Sequence, residues 1–257
     1  MEFIDTHSHL YNEQFNNDRS EVIVNAIALG VETILLPNIS SKYTNKMLAL
    51  CNEFPKNCYP MMGLHPCDVT EENYEKEITH VKEEIKKEKY IAIGEIGLDL
   101  YWDQSTLEIQ KKAFSCQIEL AKQYQLPIAI HVRESFQEAI KIIEDLNDKN
   151  LKGVFHCFTG NKEDAKRIIK LDGFYLGIGG VLTFKNSGLK ETIKEIDLQY
   201  LILETDSPYL APTPHRGKRN ESKYILTIAE KLAETHNVSI ETVAEITTAN
   251  AKKLFQL

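Results

Sequence analysis

The stretch that decides the fold runs from residue 127 to residue 156 and reads "PIAIHVRESFQEAIKIIEDLNDKNLKGVFH". It contains two short apolar runs, Pro127–Ile130 near its start and Gly153–Phe155 near its end. Between them, apolar residues recur every three or four positions, as they do on one face of an α-helix. These residues are Phe136, Ala139, Ile140, Ile143 and Leu146. Strands that are apolar on both faces and alternate with helices are typical of a parallel sheet covered by helices.

Two helix starts are marked by a capping-box pattern. Ser105 with Glu108, and Ser135 with Glu138, place a hydroxyl three residues before a carboxylate. In a capping box these two groups satisfy backbone N–H groups that the first helical turn leaves unpaired. Both serines are therefore predicted to cap helices.

The alternation of apolar runs and helical spacing continues along the chain. Eight such units favour a (β/α)8 TIM barrel of parallel strands, an α/β fold, over a doubly wound open sheet. Ser222–Leu257 predicts two or three further helices that close the barrel and extend past it. No linker or shift in composition interrupts the sequence, so residues 1–257 are expected to form a single domain. The predicted strands are Phe3–Ile4, Val31–Leu36, Tyr59–Gly63, Tyr90–Ile93, Pro127–Ile130, Gly153–Phe155, Gly173–Ile178 and Tyr200–Leu203.

The composition is that of an ordinary globular protein, with 42% hydrophobic and 26% charged residues. No apolar run is long enough to cross a bilayer, and the N-terminus has no basic segment leading into an apolar one, so we expect a cytoplasmic protein. We also expect it to be a monomer. The five cysteines form no CxxC pair and are expected to be reduced and mostly buried. A net charge of −8 argues against a protein that coats nucleic acid with a broad basic surface.

Unusual polar residues follow six of the predicted strands. In a parallel barrel the carboxyl ends of all strands lie on one face, so these side chains are expected to converge there. They are His7 and His9 after the first strand, His65 after the third, Glu95 after the fourth, His131 after the fifth, His156 after the sixth and Asp206 after the eighth.

Imidazoles and carboxylates in this arrangement predict a metal centre. In extended backbone, residues i and i+2 project to the same side, so His7 and His9 can bind one ion together. The set exceeds the three or four protein ligands of a single catalytic zinc, which favours two divalent ions bridged by Glu95. The alternative is that His131 and His156 are hydrogen-bonded core residues. His80 and His236 are expected to be ordinary surface residues.

With these residues in place, the sequence resembles the TatD family of metal-dependent deoxyribonucleases, within the amidohydrolase-like barrels. The resemblance covers essentially the whole chain and rests on a series of motifs in the family's order. These are "DTHSHL" (5–10), "GLHP" (63–66), "GEIGLDLY" (94–101), "PIAIHVRE" (127–134), "FHCFTG" (155–160), "ETDSPYLAP" (204–212) and "TTANAKKLF" (247–255).

The resemblance implies a ligand set and a reaction. His7, His9, Glu95 and Asp206 would surround the first metal, and Glu95, His131 and His156 the second. The implied reaction is hydrolysis of phosphodiester bonds in DNA by an exonuclease that works from the 3' end of single strands. Histidine-rich ligation suits zinc or manganese, whereas magnesium, with which family members are usually assayed, favours oxygen ligands.

Catalytic and substrate-binding roles can be assigned to further residues. Asp206 is the expected general base that deprotonates the attacking water, and Glu204, two residues earlier on the same side of the strand, is the alternative or a supporting residue. His65 and Arg133 are the candidates for binding the scissile phosphate. An ion pair with Glu134 or Asp99 is the alternative for Arg133.

Two further features could contact a nucleic acid. The loop "HRGKRN" (215–220) is expected to bind backbone phosphates through His215, Arg216 and Lys218, although charged loops are also common as solvated surface. Tyr101 and Trp102 could stack on an unpaired base or pack under a helix. Cys157 is expected to point away from the metal centre and to pack.

Two other functions remain open at this level. The same barrel and metal pair serve deacylases and amidohydrolases, including enzymes that remove D-amino acids from tRNA, and RNA is a further possible substrate. Arg133 and the loop 215–219 favour a nucleic-acid substrate because a neutral amide would not need them. A metal-binding protein without catalysis is disfavoured by the complete set of ligands and the presence of Asp206.

Overall fold

The computed structural model describes residues 1–257, in which eight strands alternate with helices. The strands are β1 (Phe3–Asp5), β2 (Val31–Pro37), β3 (Cys58–Met61), β4 (Ile93–Asp99), β5 (Ile128–Arg133), β6 (Gly153–Phe155), β7 (Phe174–Ile178) and β8 (Leu201–Leu203). The α-helices are α1 (Arg19–Ala28), α2 (Ser41–Glu53), α3 (Tyr74–Glu84), α4 (Leu107–Tyr124), α5 (Phe136–Leu146), α6 (Lys162–Ile169), α7 (Leu189–Ile193), α8 (Ile225–His236) and α9 (Ile240–Phe255).

All neighbouring strands are parallel, and the order follows the sequence, β1-β2-β3 and β4-β5-β6-β7-β8. Two isolated parallel bridges join these sheets: Met62 pairs with Ile93, and Ser8 pairs with Ser207. The Thr6 backbone N–H also donates to the Leu203 carbonyl at 3.1 Å. The ring therefore closes, which confirms the predicted (β/α)8 barrel and excludes the open sheet.

One layer of apolar side chains fills the barrel near its amino-terminal end. Each strand or the residue beside it contributes one member, and three side chains of α9 pack against the layer from below. The last helix therefore plugs the bottom of the barrel and leaves the opposite mouth open. The layer consists of Ile4, Leu35, Met61, Ala92, Ala129, Val154, Tyr175 and Ile202, and the plug of Ala251, Leu254 and Phe255.

The fourth strand lies later in the chain than the sequence predicted. Its observed bounds, Ile93–Asp99, overlap the prediction only at Ile93, and Glu95 and His131 lie within strands instead of following them. The glycines of this segment serve close backbone packing. A Cβ at Gly97, where φ is +145°, would lie 2.0 Å from the His131 carbonyl oxygen.

Both predicted capping boxes are wrong. Helix α5 does begin after Ser135, but the Ser135 hydroxyl donates to the Leu98 carbonyl at 2.8 Å and does not cap the helix. Near Ser105, the chain first forms a 3-10 turn, capped by Asp103. A capping box is formed instead by Asn161 and Asp164 at the start of α6.

Other predictions have mixed outcomes. The C-terminal segment holds two α-helices, α8 and α9, after one 3-10 turn, as predicted. Of the cysteines, only Cys51 and Cys58 are buried, whereas Cys67 is exposed, so the expectation of mostly buried thiols was wrong. None of the helices has the length and apolar character needed to span a membrane. The cytoplasmic location and the monomeric state stay predictions.

The packing of α1 gives a test of the core. Ile23 is fully buried, whereas its neighbour Val24 is 55% exposed. We expect Ile23→Ala to lower the free energy of unfolding by about 2–5 kcal/mol because it leaves a cavity. The matched control Val24→Ala should change it by less than about 0.5 kcal/mol, and urea denaturation measures both. Equal losses for the two variants would contradict the packing described.

Candidate metal centre

Glu95 occupies the centre of the open mouth of the barrel. It is the third residue of β4 and is buried. Its Oε2 lies 3.1 Å from His7 Nε2 and 3.4 Å from His9 Nε2. The two histidines come from the segment that follows β1, and their Nε2 atoms approach the same carboxylate oxygen. The alternating positions of "HSH" thus bring both imidazoles to one point.

The other oxygen of Glu95 faces a separate set of imidazoles. Its Oε1 lies 2.8 Å from His131 Nδ1, 2.8 Å from His156 Nε2 and 3.3 Å from His65 Nε2. These histidines come from β5, from the segment after β6 and from the segment after β3. The two oxygens of one carboxylate are therefore approached by two different groups of nitrogen atoms.

Asp206 lies on the side of His7 and His9. Its Oδ1 is 3.6 Å from His9 Nε2 and 3.9 Å from His7 Nε2. Its side chain is 12% exposed, whereas that of Glu204 is fully buried. The backbone of Asp206 is left-handed, with φ of 58°, so Glu204 and Asp206 do not project to the same side of an extended strand, as the sequence had suggested.

Glu204 is instead directed at the neighbouring strand end. Its Oε1 accepts a hydrogen bond from the Cys157 backbone N–H and lies 3.6 Å from His156 Nδ1. A Cβ at Gly177 would lie 2.4 Å from Glu204 Oε2, so this side chain needs the glycine of β7 to fit. Glu204 therefore lies behind His156, away from the open mouth.

A contact outside the cluster determines which nitrogen of His9 carries the hydrogen when the ring is neutral. Tyr11 donates its hydroxyl hydrogen to the Pro37 carbonyl at 2.6 Å, so its oxygen accepts from His9 Nδ1 at 3.0 Å. Nε2 is therefore the nitrogen of His9 that faces Glu95 and Asp206, with a lone pair when the ring is neutral and a hydrogen when it is charged. Burial lowers the pKa of His9, but hydrogen bonds to Asp206 and Glu95 raise it to about 9.

A second outer contact acts on His131. Its Nε2 lies 2.9 Å from Asp99 Oδ2, and hydrogen bonds to this carboxylate, opposing the effect of burial, lower the pKa of Asp99 to about 2. The ionised Asp99 accepts the Nε2 hydrogen, so Nδ1 is the nitrogen of His131 that faces Glu95 and that carries the lone pair when the ring is neutral. Neither Asp99 nor Tyr11 is among the predicted site residues. Asp99 could have been found because it lies four residues after Glu95, on the same face of a strand.

The donor set fits divalent cations. Burial raises the pKa of Glu95, but His156, His65 and His7 bring it well below its usual value, so Glu95 is ionised. Burial and His156 lower the pKa of His7, which favours its neutral form. Burial also lowers the pKa values of His156 and His131, but nearby carboxylates raise both, which favours their charged forms. A divalent cation would displace the hydrogens of these rings, and neutral imidazoles with carboxylates are the ligands of zinc and similar ions.

The remaining predicted site residues lie outside this cluster. Arg133 forms no ion pair with Glu134 or Asp99, so that alternative is wrong, and its guanidinium lies 3.6 Å from the centroid of the Tyr101 ring. His215 stacks on Tyr224 at 4.1 Å.

Two more residues of the loop after β8 also lack contact with the cluster. Arg216 lies over the Phe184 ring at 3.8 Å, and Lys218 is exposed. Away from the mouth, His80 and His236 are half-buried rather than on the surface, and His80 Nε2 lies 2.8 Å from Thr44 Oγ1.

The barrel and the donor set at its mouth define a metal-dependent hydrolase. Three comparisons with known proteins agree. The family model for TatD-related DNases matches residues 4–256, so the chain belongs to this family. The uncharacterized metal-dependent hydrolase YabD of Bacillus subtilis is 41% identical over 254 residues, which cover 98% of each chain.

More distant relatives extend the similarity. The 3'-5' ssDNA/RNA exonuclease TatD of Salmonella typhimurium is 31% identical over 255 residues, which cover 97% of each chain. The crystal structure of YjjV, a TatD homolog from Escherichia coli K12, superposes with a TM-score of 0.90 at 28% identity, covering 99% of this chain and 98% of that one.

The position of Glu95 between the two groups of imidazoles gives a direct test. Glu95→Gln removes the charge that both groups face, so we expect the purified variant to bind markedly less zinc or manganese than the parent protein after dialysis. Elemental analysis measures the bound metal. The control Glu108→Gln, at a side chain that is 81% exposed, should retain the parent content. An unchanged metal content in Glu95→Gln would rule out this carboxylate as a ligand.

Proposed function

We propose that the protein is a 3'-5' exonuclease that hydrolyses phosphodiester bonds at single-stranded DNA ends with two divalent cations. The observation that carries the proposal is the division of the Glu95 carboxylate, with Oε2 facing His7 and His9 and Oε1 facing His131 and His156. Such a division suits a carboxylate that bridges two ions. Asp206 completes the first ligand group. Bound there, zinc, manganese or magnesium would activate a water and neutralise charge on the phosphate.

Asp206 is the proposed general base. Among the carboxylates of the mouth it has the most accessible side chain, 12% exposed against 3% for Glu95 and 1% for Asp99. Burial raises the pKa of Asp206, but the hydrogen bond from His9 and the nearby imidazoles lower it below its usual value. The ionised carboxylate can accept a proton from the attacking water. Glu204, fully buried behind His156, is proposed to hold that imidazole in position.

His65 is proposed to donate a hydrogen bond to the scissile phosphate. Its Nδ1 accepts from the Cys67 backbone N–H at 3.1 Å, so the neutral ring carries its hydrogen on Nε2. An imidazole in this tautomer presents a donor, not a lone pair, to the mouth of the barrel. Such a group suits an anionic substrate oxygen better than a cation.

Arg133 and the loop after β8 supply positive charge around the mouth. Arg133 forms no ion pair within the chain, so its five N–H donors are available for a phosphate. Arg216 borders a surface cavity of about 430 Å³ together with Lys185. We propose that Arg216 and the exposed Lys218 bind phosphates farther along the strand, and that His215, stacked on Tyr224, supports the loop.

The reaction is tested with single-stranded oligonucleotides labelled at one end. We expect a strand labelled at its 5' end to yield a descending ladder in the presence of manganese or magnesium, and EDTA to stop the reaction. Release of a labelled 5' nucleotide before any ladder forms would exclude the proposed direction. Turnover of D-aminoacyl-tRNA or simple amides, with no cleavage of DNA, would show that the protein is a deacylase or amidohydrolase and not a nuclease.

The base is tested by Asp206→Asn. Loss of a general base lowers rates by about 10²- to 10⁴-fold, and we expect kcat to fall by that factor. The control Asp145→Asn, an exposed carboxylate on α5, should retain the parent rate. Thermal unfolding shows whether both variants fold. A well-folded Asp206→Asn with the parent kcat would remove Asp206 from this role.

A further inference from the structure

Three aromatic side chains of the protein are exposed, and all three follow strands at the open mouth of the barrel. Tyr101 and Trp102 come after β4 and are 48% and 71% exposed, and Tyr209 comes after β8 and is 45% exposed. The other exposed apolar side chains are aliphatic. Large aromatic surfaces left in water at one end of a barrel are unusual enough to suggest a ligand.

Tyr101, Trp102 and Arg133 form one unit, which we call the rim platform. The rings of Tyr101 and Trp102 meet edge to face, with centroids 4.8 Å apart and an interplanar angle of 88°. The Arg133 guanidinium covers Tyr101 at 3.6 Å from its centroid and lies 5.5 Å from that of Trp102. Arg133 thus supports the platform while its N–H donors stay free.

The rim platform is attached directly to the metal centre. The Tyr101 backbone N–H donates to Asp99 Oδ1 at 2.9 Å, and the other oxygen of Asp99 binds His131. The Leu100 N–H donates to the Arg133 carbonyl at 2.9 Å. A ligand on the platform therefore lies close to the imidazoles that surround Glu95.

We propose that the rim platform binds one unpaired nucleobase of the substrate strand, which stacks on Trp102 while Arg133 contacts its phosphate. The inference rests on the proposed nuclease function and gives it a basis for single-strand preference, because a base within a duplex has no free face. An aromatic face beside a guanidinium with unused donors matches a nucleotide, which combines a flat base with an anion. Because the chain has a net charge of −8, it has no broad basic surface for the strand, and binding depends on such local contacts.

Binding can be measured without turnover because Trp102 is the only tryptophan of the chain. In the Asp206→Asn variant with manganese, we expect a single-stranded oligothymidylate to quench the tryptophan fluorescence. A strand of equal length with abasic residues at its 3' end should bind about tenfold or more weakly, since base stacking is lost. Equal affinity for the two strands, or an oligothymidylate that binds without changing the fluorescence, would overturn the proposal.

Kinetics separate stacking from a merely structural role. We expect Trp102→Ala to raise KM for the oligothymidylate about 10- to 100-fold, to leave KM for the abasic strand unchanged, and Trp102→Phe to restore most of the loss. Thermal unfolding should be unaffected in both variants. A similar KM increase on the abasic strand, or none on either, would contradict stacking.

The two hypotheses fail in different ways. If a strand quenches the fluorescence of Trp102 but the parent protein does not cleave it, the base site is supported and the nuclease function is excluded. If the parent protein cleaves the strand and Trp102→Ala has the same KM, the nuclease function stands and the base site on the rim platform is excluded.

Discussion

The burial of one charged carboxylate, that of Glu95, is the constraint on which the mouth of the barrel depends. An ionised carboxylate removed from water is very costly unless positive partners surround it. Here the surrounding imidazoles approach both oxygens at 2.8 to 3.4 Å and hold the pKa of Glu95 far below its usual value. These partners come from strand ends spread over the sequence. The closed barrel is what brings them to a single group.

The imidazoles are oriented by contacts that lie one step farther out. Tyr11 fixes His9 through its own bond to the Pro37 carbonyl, and Asp99 fixes His131, so that each neutral ring turns its lone-pair nitrogen toward Glu95. A backbone N–H fixes His65 with its Nε2 hydrogen toward the mouth. Rings of the same chemical type thereby present lone pairs at some positions and a hydrogen at another. His9 and His131 are therefore suited to a cation, whereas His65 is suited to a phosphate oxygen.

The sequence revealed the barrel and the central side chains because both leave local patterns. Apolar runs mark strands, and β6 was predicted with its observed bounds. The extent of β4 was missed because Gly94, Glu95 and Gly97 interrupt its apolar run. The position of Asp99 on the same strand as Glu95 was missed with it. The hydrogen bond from Ser135 to Leu98, which replaces the predicted cap, and the stacking of Arg133 on Tyr101 join partners more than 30 residues apart, which no local pattern encodes.

The pairing of the first strand with the last has a consequence for how the molecule comes into being. Asp5 accepts two hydrogen bonds from Thr205, at 2.9 and 2.6 Å across 200 positions, and the Asp206 N–H binds the His7 carbonyl. During synthesis, His7 and His9 leave the ribosome long before their counterpart exists. A nascent chain that stops short of residue 205 carries every imidazole of the cluster but lacks the Asp206 carboxylate and the Thr205 partner of Asp5, so the ring of strands and the ligand set are completed together, near the end of synthesis.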